Sequence, residues 1–294
     1  MTLRPLVPAL LTILLAAPLA AAPAPQPVTP EARAFAVGAM KVAALRDGEF
    51  LIPNDGKTFG VDAGVPAVAA LLGAAGAPID TIRVSVSALL VTLPGRVVVL
   101  DTGLGPAIGK LIPSLAAAGI APAAVTDVLI THGHGDHIGG LVAADGTPAF
   151  PNAKVRMSAA EWASIEAAPG SAKIVAAITP QVITFAPGDE VVPGITAIPE
   201  RGHTPGHVAY ELKSGRARLL DIGDTAHSTI VSLTKPDWVM GFDSDPAAGK
   251  ATRRAELARL AASHEMIFAP HFPYPGVGKI AAKGDGFVWV PTTR

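Results

Sequence analysis

A short apolar run, Asp127-Val128-Leu129-Ile130, passes directly into Thr131-His132-Gly133-His134-Gly135-Asp136-His137, and this junction constrains the fold more than any other segment. Three imidazoles and a carboxylate fall in the six positions from His132 to His137, in a chain with only 8 histidines among 294 residues. Neutral imidazole and carboxylate are the nitrogen and oxygen donors that suit zinc and other first-row metals. The junction therefore reads as a buried strand that delivers a metal-binding loop at its end, where a sheet can aim several side chains at one point. The chain has no cysteine, which excludes disulfides, thiolate ligands and a cysteine nucleophile. Every metal donor must be nitrogen or oxygen.

The remainder follows the same plan. Lys41 to Leu45 and Glu49 to Ile52 flank Arg46-Asp47-Gly48 as a hairpin would. Arg83 to Ala88 alternates as a half-buried strand, and Arg96 to Leu100 is a buried strand ending in the turn Asp101-Thr102-Gly103. Pro106 to Ala118 has helical spacing with Gly119 as its stop. Val155 to Met157 is a strand, and Ser158 with Glu161 three residues on predicts a capping box opening a helix. Val182 to Phe185 and Ile195 to Ile198 are further strands. Val208 to Leu212 and Arg216 to Asp221 pair across Lys213-Ser214-Gly215 and lead to Gly223-Asp224. Asp245 caps a helix running to Ser263 with proline in its first turn, and Glu265 to Ala269 delivers His271. Two blocks of strands with helices between them predict sheets packed together and covered by helices outside.

The first residues read as a secretory signal peptide: Arg4, an apolar run from Leu6 to Leu19 interrupted by Pro8 and Pro18, then Ala20 to Ala22. Residues 1–22 are thus expected to be removed, residues 23–34 to form a Pro-rich tether, and residues 35–294 to form a single domain. Secreted or periplasmic localisation without a membrane anchor is the corresponding expectation. With 23 basic and 24 acidic residues the net charge is −1, so no basic surplus addresses a phosphate backbone and nucleic acid is not an expected partner. The oligomeric state stays open, a homodimer being one arrangement.

Ligand-type residues recur in Gly202-His203-Thr204-Pro205-Gly206-His207, Gly223-Asp224 and Ala269-Pro270-His271. In this order, behind the His132 loop, they resemble the metallo-β-lactamase superfamily over essentially the whole mature chain. The segment His271 to Gly278, the tail to Pro291 and Phe242-Asp243-Ser244-Asp245 are most similar to the methyl parathion hydrolase group, a lactonase and arylesterase branch. The resemblance implies an α+β fold, an αββα sandwich, with a dinuclear site at its edge. It implies that His132, His134 and His203 hold one metal, that Asp136, His137 and His271 hold the other, and that Asp224 bridges them. Two divalent ions, zinc by default with manganese, cobalt or iron as alternatives, would activate a shared hydroxide and polarise the substrate. Asp136 is the candidate to orient that hydroxide or pass its proton on, beside its ligating role.

Asp101 resembles the superfamily's hydrogen-bond acceptor for a ligating histidine, with an Asx-turn as the competing role. His207 reads as a supporting or structural residue, and His264 as a solvated cation at a helix end. His227 stands where related acyl-homoserine-lactone hydrolases carry a tyrosine, and is either a pocket donor or ordinary packing. Trp162, Phe272, Phe242 and the weaker Tyr274 are candidate pocket walls, core packing being the alternative for Trp162. The expected substrate is a small neutral lactone, aryl ester or phosphotriester. β-Lactam hydrolysis and a non-hydrolytic mono-iron protein of the same fold are the alternatives, though this chain keeps all seven donors.

Overall fold

Along the strands, successive side chains sort into two faces. Val42 and Ala44 face one side while Ala43 and Leu45 face the other, and Val98 and Leu100 are separated from Val99 in the same way. Both faces are apolar and buried, so the sheet needs cover on both sides. The structure, a computed structural model, describes residues 25–292; the expected signal peptide lies outside the described residues.

The first half of the chain forms a seven-stranded sheet of β1 (Ala32–Val37), β2 (Met40–Pro53), β3 (Thr81–Leu93), β4 (Arg96–Leu100), β5 (Asp127–Leu129), β6 (Lys154–Ser158) and β7 (Val182–Phe185), in that spatial order. Pairing is antiparallel up to β4 and parallel from β4 to β7. The second half forms another of β8 (Glu190–Val192), β9 (Ile195–Pro199), β10 (Val208–Ser214), β11 (Ala217–Asp221), β12 (Met266–Phe268), β13 (Val277–Lys283) and β14 (Gly286–Pro291). It is antiparallel except where β11 lies parallel to β12.

One face of each sheet meets the other. Leu89, Leu100 and Leu129 of the first sheet share a core with Ile195, Tyr210, Leu219 and Phe268 of the second. Each fully buried leucine there contributes roughly 1.5–3 kcal/mol by leaving water. The outer face of the first sheet is covered by α2 (Leu111–Ala117), α4 (Ala159–Ala167) and α5 (Ala172–Ile178) through Leu115, Ile165 and Ile178. The second sheet is covered by α7 (Pro246–Ser263) through Leu257 and Leu260. Short helices α1 (Val65–Ala74), α3 (Gly135–Ile138) and α6 (Val231–Thr234) complete the layers, α1 and α6 around a smaller core with Phe59 and Met240. This is the expected αββα sandwich. Among the described residues no helix is long and apolar enough to cross a membrane.

Several local expectations are corrected. Arg46-Asp47-Gly48 is not a turn: β2 continues through it with a bulge between Arg46 and Gly48. The bulge turns Asp47 into the interior, where its carboxylate accepts from the backbone N–H groups of Leu104, Lys110 and Leu111 at 2.6–2.7 Å. Those bonds hold residues 103–110 as a loop, so α2 begins at Leu111 rather than Pro106. The tether is shorter than expected, because β1 begins at Ala32 and Pro25 already bridges to Phe50. Ser158 does cap α4, accepting from Glu161 N, but the Glu161 side chain reaches away from the helix instead of closing a capping box.

Candidate metal centre

Parallel neighbours end side by side. Leu100 pairs with Leu129 and Asp221 with Phe268, so β4 releases Asp101, β5 releases the His132 loop, β11 leads to Asp224 and β12 to His271 at one edge of the sandwich. The β9–β10 connection adds His203. Candidate donor atoms of His132, His134, His203 and Asp224 lie within 4.8 Å of one another, as do those of Asp136, His137 and His271. All seven residues singled out from the sequence therefore converge.

Asp224 lies between the two groups. Its Oδ2 is 3.2 Å from His203 Nε2 and 3.5 Å from His132 Nε2, while Oδ1 is 3.0 Å from His271 Nε2 and 3.2 Å from His137 Nε2. Burial alone would raise its pKa, but His137, His271, His132 and His227 hold the carboxyl well below the usual range.

Outer partners decide which ring nitrogen faces inward. His137 Nδ1 meets Asp101 Oδ2 at 2.8 Å, His203 Nδ1 meets Asp243 Oδ1 at 3.1 Å, and His271 Nδ1 meets the Ser85 carbonyl at 2.7 Å. His132 Nδ1 meets Thr131 Oγ1 at 3.0 Å, and that hydroxyl donates to Asp101. A neutral imidazole carries one N–H, so each of these rings spends it outward and turns an Nε2 lone pair inward. The lone pairs then crowd: His203 Nε2 is 3.1 Å from His132 Nε2 and His137 Nε2 is 3.3 Å from His271 Nε2, with His134 Nδ1 3.0 Å from His203 Nε2. Among the described residues, Asp224 Oδ1 is buried without a hydrogen-bond partner. Acceptors facing acceptors with no proton between them is the arrangement a cation satisfies, so the donor set fits divalent metal.

Asp101 takes the acceptor role, at φ 59°, a left-handed conformation uncommon outside glycine. Besides His137 it accepts from Thr131 N and Oγ1, both at 2.8 Å. His207 is not a candidate ligand. Its Nδ1 faces the Glu200 carbonyl at 2.9 Å and its Nε2 accepts from Asp224 N at 3.0 Å, so it fixes the backbone beneath the Asp224 carboxylate. Burial lowers its pKa to about 3, consistent with a neutral acceptor. His227 Nε2 lies 3.1 Å from Asp224 Oδ2, and its ring stacks on His271 and Phe242. It is packed and also lines the cleft; burial lowers its pKa to about 4.

That cleft, about 390 Å³, opens over His134, Asp136, Asp224, His227 and His271. Its other walls are Phe50, Ile52, Val84, Leu104, Ile108 and Phe242, with Gly135, and among the described residues no lysine or arginine lines it. Two expected wall residues are elsewhere. Trp162 packs into the α2–α4–α5 core, and Phe272 is fully buried against Trp289 under α7. Trp162 faces away because α4 turns that side to the core, and Phe272 because the turn after β12 that presents His271 points the next side chain inward. Tyr274 points to a separate cavity and donates to the Ala44 carbonyl. His264 caps α7 in the left-handed region.

Three residues escaped sequence reasoning. Asp243 orients His203 and is held by Arg253 at 2.7 Å, a fully buried guanidinium that also donates to the carbonyls of Thr225, Pro236 and Trp238. The segment Phe242 to Asp245 stands out in the sequence, but nothing local marks Asp243 over Asp245. Asp47 and Glu161 are buried carboxylates whose donors lie far along the chain.

The sequence profile of the metallo-beta-lactamase superfamily matches residues 81–271, a span that holds all seven converging residues. The chain belongs to this superfamily. Among solved structures it is similar to AidC, a dizinc quorum-quenching lactonase in complex with a homoserine product, with 26% identity, a TM-score of 0.85 and coverage of 90% of this chain and 98% of that one. It is similar to the hydrolase AbOPH of the beta-lactamase superfamily at 29% identity and a TM-score of 0.81, covering 91% of this chain and 99% of that one. A probable metal-dependent hydrolase from Staphylococcus aureus shares the fold at 20% identity and a TM-score of 0.73, over 88% of this chain and 99% of that one. No curated protein matches the chain. Family and site together make it a metallohydrolase of the metallo-beta-lactamase fold.

Proposed function

We propose that this superfamily member is an exported dinuclear metallohydrolase that opens lactones and cleaves aryl esters, with phosphotriesters as secondary substrates. The observation that carries the reading is the placement of Asp224, one oxygen turned to each donor group at the floor of a cleft with uncharged apolar walls. His132, His134 and His203 would hold one ion, Asp136, His137 and His271 the other, with Asp224 between them. Two such ions, zinc by default, supply a water acidic enough to attack near neutral pH and a Lewis acid for the carbonyl or phosphoryl oxygen.

The chain supplies the rest. Phe50, Ile52, Val84, Ile108 and Phe242 bind an acyl or aryl group and exclude water from it. A charged group on the substrate would lie unpaired against those walls, whereas a neutral ester would not. Asp136, whose side chain is 26% exposed, is the donor carboxylate open to the cleft, with Oδ2 turned to His137 and His271, and its other oxygen is the candidate to pass a proton to the departing alcohol. Supporting this substrate class are the acyl-homoserine product bound by the lactonase AidC and the resemblance of the segment His271 to Gly278 to methyl parathion hydrolases. The leader-like residues 1–22 support export.

One metal-replete preparation assayed on dihydrocoumarin, phenyl acetate, a paraoxon-type phosphotriester and nitrocefin tests the proposal, with elemental analysis alongside. Lactone turnover is expected to lead, with about two ions per chain, and removal of metal by a chelator abolishes it. Turnover of nitrocefin alone would reverse the ranking. One iron per chain with no esterase activity would replace the hydrolase by an oxygenase-type protein.

A further inference from the structure

Glu161, on the first turn of α4, is 1% exposed, and among the described residues no cationic side chain is bonded to it. Its carboxylate is satisfied from two directions. Oε1 accepts from Gly133 N at 2.7 Å, inside the loop that carries His132 and His134. Oε2 accepts from Thr204 Oγ1 and Gly206 N, both at 2.8 Å, in the loop that carries His203. Ser158 at the helix N-terminus reinforces the second attachment by donating to the Gly206 carbonyl at 2.7 Å. Both glycines sit where a side chain cannot: a Cβ on Gly206 would fall 2.3 Å from Glu161 N, and one on Gly133 would fall 2.6 Å from Ile165.

Residues 133 and 204 come from opposite sheets, and every histidine of the first donor group belongs to one of these two loops. We infer that Glu161 is a positioning residue for that group: it locks the His132–His134 loop against the His203 loop and so sets the affinity of one of the two metal ions. This rests on the dinuclear reading above. The second group, Asp136, His137 and His271, receives no bond from Glu161.

Glu161→Gln keeps the shape, but its amide N–H₂ must face either Gly133 N–H or the Thr204 and Gly206 donors, and each choice sets donor against donor. Zinc competition titrations with a chromophoric chelator on the full chain should show one ion bound about 10–100-fold more weakly and the other within a few-fold of wild type, the range found for partners that orient ligands. In a His203→Ala background the substitution should leave the remaining ion unaffected, whereas in a His271→Ala background it should still weaken the ion that is left. Thr204→Val removes one of the three donors at constant volume and should weaken the same ion to a smaller degree; it carries the test if Glu161→Gln fails to fold by circular dichroism. Wild-type protein that takes up two zinc ions which both variants hold as tightly overturns the proposal alone. Wild-type protein that takes up no zinc overturns the dinuclear reading with it.

Discussion

Single side chains act here through the proton or lone pair they leave exposed. Asp243 accepts from His203 Nδ1 and is gripped by Arg253, so it fixes which nitrogen of His203 faces the donor group. Asp243→Asn turns an amide toward one of those two donors and should weaken zinc binding by about 10–100-fold while the fold persists; an unchanged affinity in a competition titration would remove Asp243 from the site. The aromatic residues divide by the surface they face. Phe242 lines the cleft beside His227, whereas Trp162 is half-buried in the core under α4. Phe242→Ala should raise KM for aryl esters and shift preference among substrates. Trp162→Ala should cost about 1–3 kcal/mol of stability, less than a fully buried aromatic, and leave preference unchanged. A changed substrate ranking in Trp162→Ala would place that indole in the cleft after all.

Among the elements, the stretch from Gly103 to Lys110 is the one whose shape most affects the cleft, since it presents Leu104 and Ile108 to it. It contains no regular secondary structure of its own. Asp47 on the β2 bulge takes the N–H groups at both of its ends, and a Cβ at Gly103 or Gly109 would collide with that carboxylate at 2.2 and 2.6 Å. Asp47→Asn leaves at least one of those donors facing an N–H₂ and should cost about 1–3 kcal/mol. Because the freed loop carries two walls of the cleft, KM for long-chain lactones should rise more than kcat falls. Equal KM ratios for short and long acyl chains in variant and wild type would show that the loop keeps its place without the clamp.

Stability of the whole molecule should carry a pH dependence that comes from burial rather than from surface pairs. Glu200 is buried, accepts from Thr225 Oγ1 at 3.3 Å, and is pushed up to about 8 by that burial and by nearby Glu256. The unfolded chain releases this proton near 4.5 and the folded chain only near 8, so across that window folding binds a proton more and stability falls as pH rises. The slope is at most about 1.4 kcal/mol per pH unit. Glu200→Gln removes it: in urea unfolding, the variant should gain on wild type between pH 5 and pH 8, and parallel pH profiles would refute this. Asp127 works in the opposite sense. Burial opposes its ionised form, but Arg156, Thr126 and Arg96 outweigh that and hold its pKa below the ordinary value, so the stability it lends is lost only in acid.

The sequence by itself determined the strand alternation, the α7 cap at Asp245, the two-sheet architecture and the order of the seven donors, because all of these are written in residues near one another along the chain. The ends of β4, β5, β11 and β12 were predictable to within a residue or two, and so was the fact that His132, Asp224 and His271 stand just beyond them, whereas β3 runs five residues past its expected end and β1, β8, β13 and β14 carried no clear local signal. Only the tertiary structure decided that Asp47 lies in a bulge and not a turn, that Glu161 leaves its own helix to hold two loops, that Asp243 and not Asp245 supports His203, and that Phe50 and Ile108 rather than Trp162 and Phe272 wall the cleft. The reason is physical: a periodic pattern tells which face of an element is apolar, but the groups that a buried carboxylate bonds, or the side of a sandwich to which an aromatic ring turns, depend on backbone brought in from tens to well over a hundred residues away.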